Sequence, residues 1–183
     1  FIGFFGGFFS LTHGVMLFLV ILFHELGHVA AMRLMGYKDL QILFIPGLGA
    51  LATGREKGAI VAWKKAFILL MGPIPGILLG FLLAIWTYRN PSEAFMQVDV
   101  LSGILIFVNV FNLLPFHPLD GGQLLNTLIF NRWPYFKSLF FVLSSLLLVG
   151  TGYLLQSTFF MIIFALVGYI SAQEAFRNAG ILL

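Results

Sequence analysis

The stretch "LFLVILFHELGHVAAMRL", residues 17–34, decides what kind of fold this chain can adopt. Its first seven residues are apolar throughout, as in a helix that faces lipid. His24, Glu25 and His28 then follow without any change in the apolar pattern. Because four residues make about one helical turn, both imidazoles lie on one face of the predicted helix. Two histidines at this spacing, with a glutamate directly after the first, form a pattern that binds zinc and uses the glutamate as general base.

The composition predicts that this helix lies in a membrane. The 183 residues are 60% hydrophobic and 9% charged, whereas about a quarter of the residues in a soluble domain are charged. The mean hydropathy of +1.02 agrees. An aspartate inside a membrane helix costs about 2.5–3.5 kcal/mol on insertion scales, so a bound metal ion would offset the cost of such a cluster. Thiolate ligands are excluded because the sequence has no cysteine, and the net charge of +3 gives no reason to expect a nucleic-acid partner.

The predicted fold class is an all-α polytopic membrane protein of about five transmembrane helices, with a short membrane-associated β-hairpin between the first two. A bilayer core of about 30 Å needs about 20 apolar residues per helix. Five segments meet this requirement: Leu11–Met32, Ala66–Tyr88, Ala94–Leu114, Ser138–Leu155 and Thr158–Ala175. Residues 1–10 are apolar but broken by glycine, so they are predicted to be an interfacial segment or the remnant of an earlier span. The chain begins at Phe1, which is compatible with upstream or regulatory domains outside it.

The basic residues predict the orientation in the lipid bilayer. Nine Lys and Arg residues fall in alternate loops or after the last span, and Arg89 alone falls on the other side. The positive-inside rule places the nine in the cytosol. The chain is therefore predicted to be an integral, multi-pass membrane protein with the His24–His28 end of its first span toward the cytosolic side.

Two irregular segments follow the first span. "LQILFIPGLGALATG", residues 40–54, has apolar runs on both sides of a glycine-rich turn. This pattern predicts a hairpin over residues 40–53, with an amphipathic surface loop as the alternative. "MGPIPGILLG", residues 71–80, brings two prolines and three glycines into the second span. Proline breaks a helix locally and glycine allows close approach, so a kink that packs against the first span is predicted.

A zinc site in an enzyme usually has a third protein ligand and leaves one position open for water. Seven acidic residues are available. Most lie in loops or at span ends, and Asp99 lies at the non-cytosolic end of the third span. Asp120 follows that span at its cytosolic end, on the side of the two histidines. Asp120 is therefore the favoured third ligand, and the alternative is an aspartate that caps the turn before Gly-Gly.

At these residues the chain resembles a known family. "HELGH", residues 24–28, and "NLLPFHPLDGG", residues 112–122, are similar to the two signature motifs of the site-2 protease family, which are intramembrane zinc metalloproteases. The second motif matches at Asn112, Pro115, Pro118, Leu119, Asp120 and Gly121. The resemblance covers about residues 11–130 and implies a three-helix metalloprotease core with the hairpin 40–53. Residues 131–183 are then two additional transmembrane helices.

The resemblance also implies a site and a reaction. One Zn²⁺ per chain is bound by His24, His28 and Asp120, and Glu25 activates water for hydrolysis of a membrane-protein substrate with a transmembrane segment. Asn112 is a candidate partner for the transition-state oxyanion, and its alternative is an interhelical hydrogen bond, paired with Asn109. The family also carries a Gly-Pro-x-x-Asn or Gly-Pro-x-x-Gly element, in which this chain has Gly76 in place of asparagine.

Other classes of function make different demands on the sequence. A non-proteolytic pseudoprotease would typically lack the glutamate or a ligand, and Glu25 is present. A metal transporter would place ligands along a path through several spans rather than at one face. A closed structural zinc site needs four protein ligands, and only three good ones are found. Intramembrane proteolysis by zinc-activated water with Glu25 as general base is therefore the favoured interpretation.

Overall fold

The computed structural model describes residues 10–45, 49–55, 61–115 and 119–129, together with single positions at 143, 146, 150, 169 and 173. Three described stretches are long and apolar enough to cross a membrane: Leu11–Leu34, Ala62–Arg89 and Glu93–Asn112. They correspond to the first three predicted spans. Apart from those single positions, the predicted spans Ser138–Leu155 and Thr158–Ala175 lie outside the described residues, as do residues 1–9 of the N-terminal segment.

Helix α1, Leu11–Leu34, carries the zinc-binding pattern in its C-terminal half. It begins after Ser10, whose hydroxyl oxygen accepts the backbone N–H of His13 at 3.4 Å. Its end is a Schellman motif, in which Tyr37 N–H donates to the Met32 carbonyl and Gly36 N–H to the Arg33 carbonyl. Gly36 has φ +87°, a left-handed conformation that glycine adopts without strain. The chain therefore leaves α1 sharply and enters the hairpin.

Strands β1, Lys38–Ile45, and β2, Gly49–Arg55, form a two-stranded antiparallel sheet. The pairing joins Leu43 to Leu51 and Ile45 to Gly49, with an irregularity between Lys38 and Gln41. The predicted hairpin is therefore confirmed, and it extends slightly beyond residues 40–53. Its apolar side chains Leu40 and Ala52 join a cluster around three buried residues: Ala31 and Met32 in the last turns of α1, and Ile68 in the second half of the next helix.

The second span is two helices, α2, Ala62–Met71, and α3, Pro73–Arg89. Gly72 separates them, and because Pro73 and Pro75 have no N–H, two carbonyls of α2 lose their helical donors. Helix α1 passes close to this break: a Cβ on Gly27 would lie 2.1 Å from the Met71 carbonyl oxygen. The predicted kink therefore exists, and it packs against α1.

Helix α4, Met96–Asn112, follows a 3₁₀ turn at Glu93–Phe95 and packs along α3. A Cβ on Gly80 of α3 would lie 2.7 Å from the Ile106 side chain, which shows how closely the two helices approach. Asp99 lies near the start of α4, ten residues or about 15 Å before Asn109 along the helix axis.

The chain divides into two compact units between Asn112 and Leu113. Helix α5, Asp120–Leu128, belongs to the second unit. In that unit a Cβ on Gly121 would lie 2.0 Å from the Leu113 carbonyl oxygen, so the start of α5 packs tightly on the preceding backbone. The predicted core, residues 11–130, takes helices from both units, and its boundary stays a prediction.

Candidate metal centre

The three ionisable residues of the opening motif come together on α1. His24, Glu25 and His28 are 3%, 6% and 7% exposed. Each offers a ligand atom, and the three atoms lie within 4.8 Å of one another. Such a cluster of imidazole and carboxylate groups fits a metal site.

Each imidazole is held by a hydrogen bond at its Nδ1 atom. His28 Nδ1 lies 2.8 Å from the Ile68 carbonyl oxygen. His24 Nδ1 lies 2.8 Å from Oδ1 of Asn109. The Asn109 amide can be oriented because its Nδ2 donates to the Leu105 carbonyl at 2.7 Å. Since both partners of the imidazoles are oxygen acceptors, both Nδ1 atoms carry the proton.

The remaining ring nitrogens face each other. The two Nε2 atoms are 3.1 Å apart, and the rings are nearly perpendicular, at 85°. Two neutral imidazoles protonated at Nδ1 would turn their lone pairs together, which is unfavourable unless a cation lies between them. A tetrahedral zinc ion with nitrogens at about 2.0–2.1 Å keeps two such ligands about 3.3–3.4 Å apart. The observed pair therefore fits a zinc ion to within a few tenths of an ångström.

Glycines at the start of α3 leave space for this arrangement. A Cβ on Gly72 would lie 2.3 Å from Cε1 and Nε2 of His28. A Cβ on Gly76 would lie 2.2 Å from Nδ2 and 2.8 Å from Oδ1 of Asn109. Gly76 stands in place of asparagine in the Gly-Pro element. The space beside it, where a side chain would lie, is filled by the Asn109 side chain from α4.

Asn109 is the site residue that sequence reasoning missed. It appeared only as a hydrogen-bond partner for Asn112, yet its amide contacts His24. The available signal was a polar residue inside a predicted span, where a partner is required. Asn112 itself donates from Nδ2 to the Val108 carbonyl of its own helix at 3.1 Å. Its proposed contact with substrate stays a prediction.

Asp120, the predicted third ligand, is the first residue of α5 and is 8% exposed. A carboxylate at a helix N-terminus is stabilised by the helix dipole. This position also suits the alternative, an aspartate that caps the turn. Its role as a metal ligand stays a prediction.

Comparison with known proteins shows what this chain is similar to. No family model matches the chain. A zinc metalloprotease of Methanocaldococcus jannaschii is 28% identical over 126 residues, which cover 68% of this chain and 36% of the relative. Stage IV sporulation protein FB of Bacillus subtilis is 28% identical over 123 residues, covering 67% of this chain and 42% of the relative.

The fold agrees with these relatives. The solved structure of a site-2 protease from Methanocaldococcus jannaschii superposes with a TM-score of 0.65 at 22% identity, covering 96% of this chain and 81% of that one. The chain is similar in sequence to these relatives and similar in fold to a solved site-2 protease. It spans less than half the length of the curated relatives it matches. The first unit brings together the histidine pair and the glycine-proline break at Gly72.

Proposed function

We propose that this chain is the catalytic core of an intramembrane zinc metalloprotease that hydrolyses peptide bonds of membrane-embedded proteins. The observation that carries this proposal is the pair of Nε2 atoms 3.1 Å apart, with both Nδ1 atoms engaged by oxygen acceptors. This is the donor set of two neutral histidine ligands. We propose one Zn²⁺ per chain, bound by His24 and His28 together with Asp120. The named zinc metalloprotease among the relatives supports this choice of metal.

Zinc at such a site supplies a water of lowered pKa and polarises the substrate carbonyl. Glu25, buried beside the two imidazoles, accepts the proton of the attacking water. The new C–O bond forms first and places negative charge on the carbonyl oxygen; the peptide C–N bond then breaks as Glu25 returns the proton to the leaving nitrogen. We assign Asn112 to the developing oxyanion as a hydrogen-bond donor.

The position of the cluster on α1 supports a site nearer the cytosolic side. His28 is five residues from Arg33, or about 7.5 Å along the helix, whereas His24 is about 21 Å from Ser10 at the other end. Basic residues border the Arg33 end, in the hairpin and at the start of α2. A transmembrane substrate would therefore be cleaved within the bilayer but close to its cytosolic face.

The presence of Glu25 separates this proposal from its alternatives, a pseudoprotease or a metal transporter. A metal site that only stores or passes an ion has no need of a general base, whereas Glu25 is a buried carboxylate beside the two imidazoles. The ligand atoms of His24, Glu25 and His28 lie within 4.8 Å of one another. Because a general base is therefore close to the two imidazoles, hydrolysis is favoured over the alternatives.

Glu25→Gln tests the proposal. The substitution keeps the shape of the side chain but removes the base, so cleavage of a single-span membrane substrate in detergent is expected to fall by about 10²–10⁴-fold. Zinc content, measured by mass spectrometry of the purified protein, is expected to be unchanged. Glu93→Gln, at an exposed position, is the control and should leave both properties intact. Unchanged cleavage by the zinc-loaded Glu25→Gln chain would refute the mechanism.

A further inference from the structure

Asn109 is fully buried, at 0% exposure, in the apolar helix α4. A buried amide costs free energy unless its donor and acceptor are both used. Its Nδ2 donates to the Leu105 carbonyl of the same helix, which already accepts a backbone bond there. That contact therefore adds little beyond fixing the amide's orientation. Its consequence is to direct Oδ1 to the His24 ring, 2.8 Å away.

We propose that Asn109 is a positioning residue of the metal centre, holding the His24 ring so that Nε2, and not Nδ1, faces His28. This inference rests on the proposed metal site. The amide oxygen accepts from Nδ1–H and so fixes both the tautomer and the ring rotation of His24. Outer contacts of this kind typically change metal affinity 10–100-fold.

Gly76 also contributes to the positioning of His24, because it leaves space for the Asn109 amide. The Asn109 amide occupies the space next to the Gly76 backbone, where a Cβ would lie 2.2 Å from Nδ2. An alanine at this position must displace the amide or push α3 from α4. Gly76 therefore determines whether Asn109 can reach His24.

The two histidines differ in how they are held. His28 is bound by the backbone carbonyl of Ile68, which no substitution removes directly. His24 is bound by a side chain from a helix 85 residues further along the sequence. Asn109 is therefore the point at which α4 controls the geometry of the ligands on α1.

The test measures zinc affinity of the full chain in detergent by competition with a chelator, independently of cleavage. Asn109→Leu keeps the branched shape of the side chain, with a larger volume, but has no acceptor, and its zinc affinity is expected to be about 10–100-fold lower. Asn109→Asp keeps an acceptor for Nδ1–H and is expected to recover most of that loss. Bound Co²⁺ should show a changed visible spectrum in the leucine variant and a near-native one in the aspartate variant.

Gly76→Ala provides an independent test without altering Asn109 and is expected to lower zinc affinity as Asn109→Leu does. Gly103→Ala is its control, because nothing lies within 4 Å of the Gly103 Cβ position. If Asn109 served only helix packing, both Asn109 variants would lower the melting temperature of the metal-free chain without changing zinc affinity. That result, or equal losses in the leucine and aspartate variants, would overturn the proposal. If Asn109→Leu does not fold, unchanged zinc affinity in Gly76→Ala would overturn the proposal.

The two proposals fail separately. A Glu25→Gln chain that still cleaves would overturn the protease mechanism but leave the zinc affinities of the Asn109 variants interpretable. Unchanged affinities in those variants would remove the positioning role and leave the protease proposal standing.

Discussion

Two groups of polar side chains lie between the apolar helices of the first unit, and they differ in how their atoms face each other. In the metal centre, the Nε2 atoms of His24 and His28 are 3.1 Å apart, and each Nδ1 atom lies 2.8 Å from an oxygen acceptor. The second group, here called the distal polar cluster, consists of Thr87, Asp99 and Ser102. There the Thr87 hydroxyl lies 3.2 Å from Oδ1 of Asp99, and the Ser102 hydroxyl donates to the Asp99 carbonyl at 2.7 Å.

The difference separates a binding site from a structural link. In the distal polar cluster each hydroxyl donor meets an oxygen acceptor, so the contacts are complete without a ligand. The Asp99 carboxylate is also exposed, whereas the three ionisable groups of the metal centre are buried. Two buried Nε2 atoms at 3.1 Å, beside a buried carboxylate, form a donor set that fits a metal ion. The pairing of polar residues inside apolar helices therefore indicates their role better than their number does.

Asp120, at the start of α5, and Asp99, near the start of α4, give the largest test of this comparison. Asp120→Asn removes the proposed third ligand, so zinc affinity should fall by more than about 100-fold, beyond the range for outer contacts. Cleavage should be lost with it. Asp99→Asn changes the distal polar cluster and should leave zinc content and cleavage unchanged. Metal content after dialysis against a chelator is the measurement.

The opposite outcome would be informative. If Asp120→Asn retained its zinc, the turn-capping interpretation would hold for Asp120, and a different ligand would have to complete the site. Loss of zinc from Asp99→Asn would remove the distinction between the two clusters.

The sequence predicted the features that depend on local spacing. The histidine pair follows from four-residue spacing on one helix, the break at Gly72 from the missing N–H groups of proline, and the hairpin from apolar runs around a glycine-rich turn. All of these lie within a few residues of their cause. The refinements, such as the strand ends at Lys38 and Arg55, depend on cross-strand pairing.

Asn109 could not be predicted in this way. Its contact with His24 joins residues 85 apart and exists because Gly76 leaves space between α3 and α4. A sequence shows that a polar residue in a span needs a partner, but not which of several helices supplies it. Helix packing decides that question, and packing depends on all three spans together.

Gly72→Ala tests how much the metal centre depends on packing. The new methyl group would lie 2.3 Å from the His28 ring, so the ring or α3 must move. Overpacking of this kind costs about 1–3 kcal/mol. If His28 takes up the strain, zinc affinity should fall by about 5–150-fold, since each 1.4 kcal/mol is a factor of ten.

Gly103→Ala is the matched control for this substitution, as the same group is added to a helix glycine with open space around it. Titration of zinc into the metal-free proteins compares the two variants directly. Equal affinities would mean that the helices yield at Gly72 without disturbing His28, and the ring would then be less tightly held than its contact with Ile68 suggests.

The smallest expected effect belongs to the distal polar cluster. Thr87→Val keeps the shape of the side chain and removes the hydroxyl that joins α3 to Asp99 of α4. Hydrogen bonds between membrane helices contribute about 0.6 kcal/mol on average, so the free energy of unfolding in detergent should fall by about that amount. Zinc affinity should be unchanged, because the cluster lies about 15 Å along α4 from Asn109. A clear loss of zinc affinity in this variant would mean that the α3–α4 contact transmits strain to Asn109. The two polar groups would then form a single coupled system along these helices, and a complete set of hydrogen bonds would no longer distinguish a structural link from part of the site.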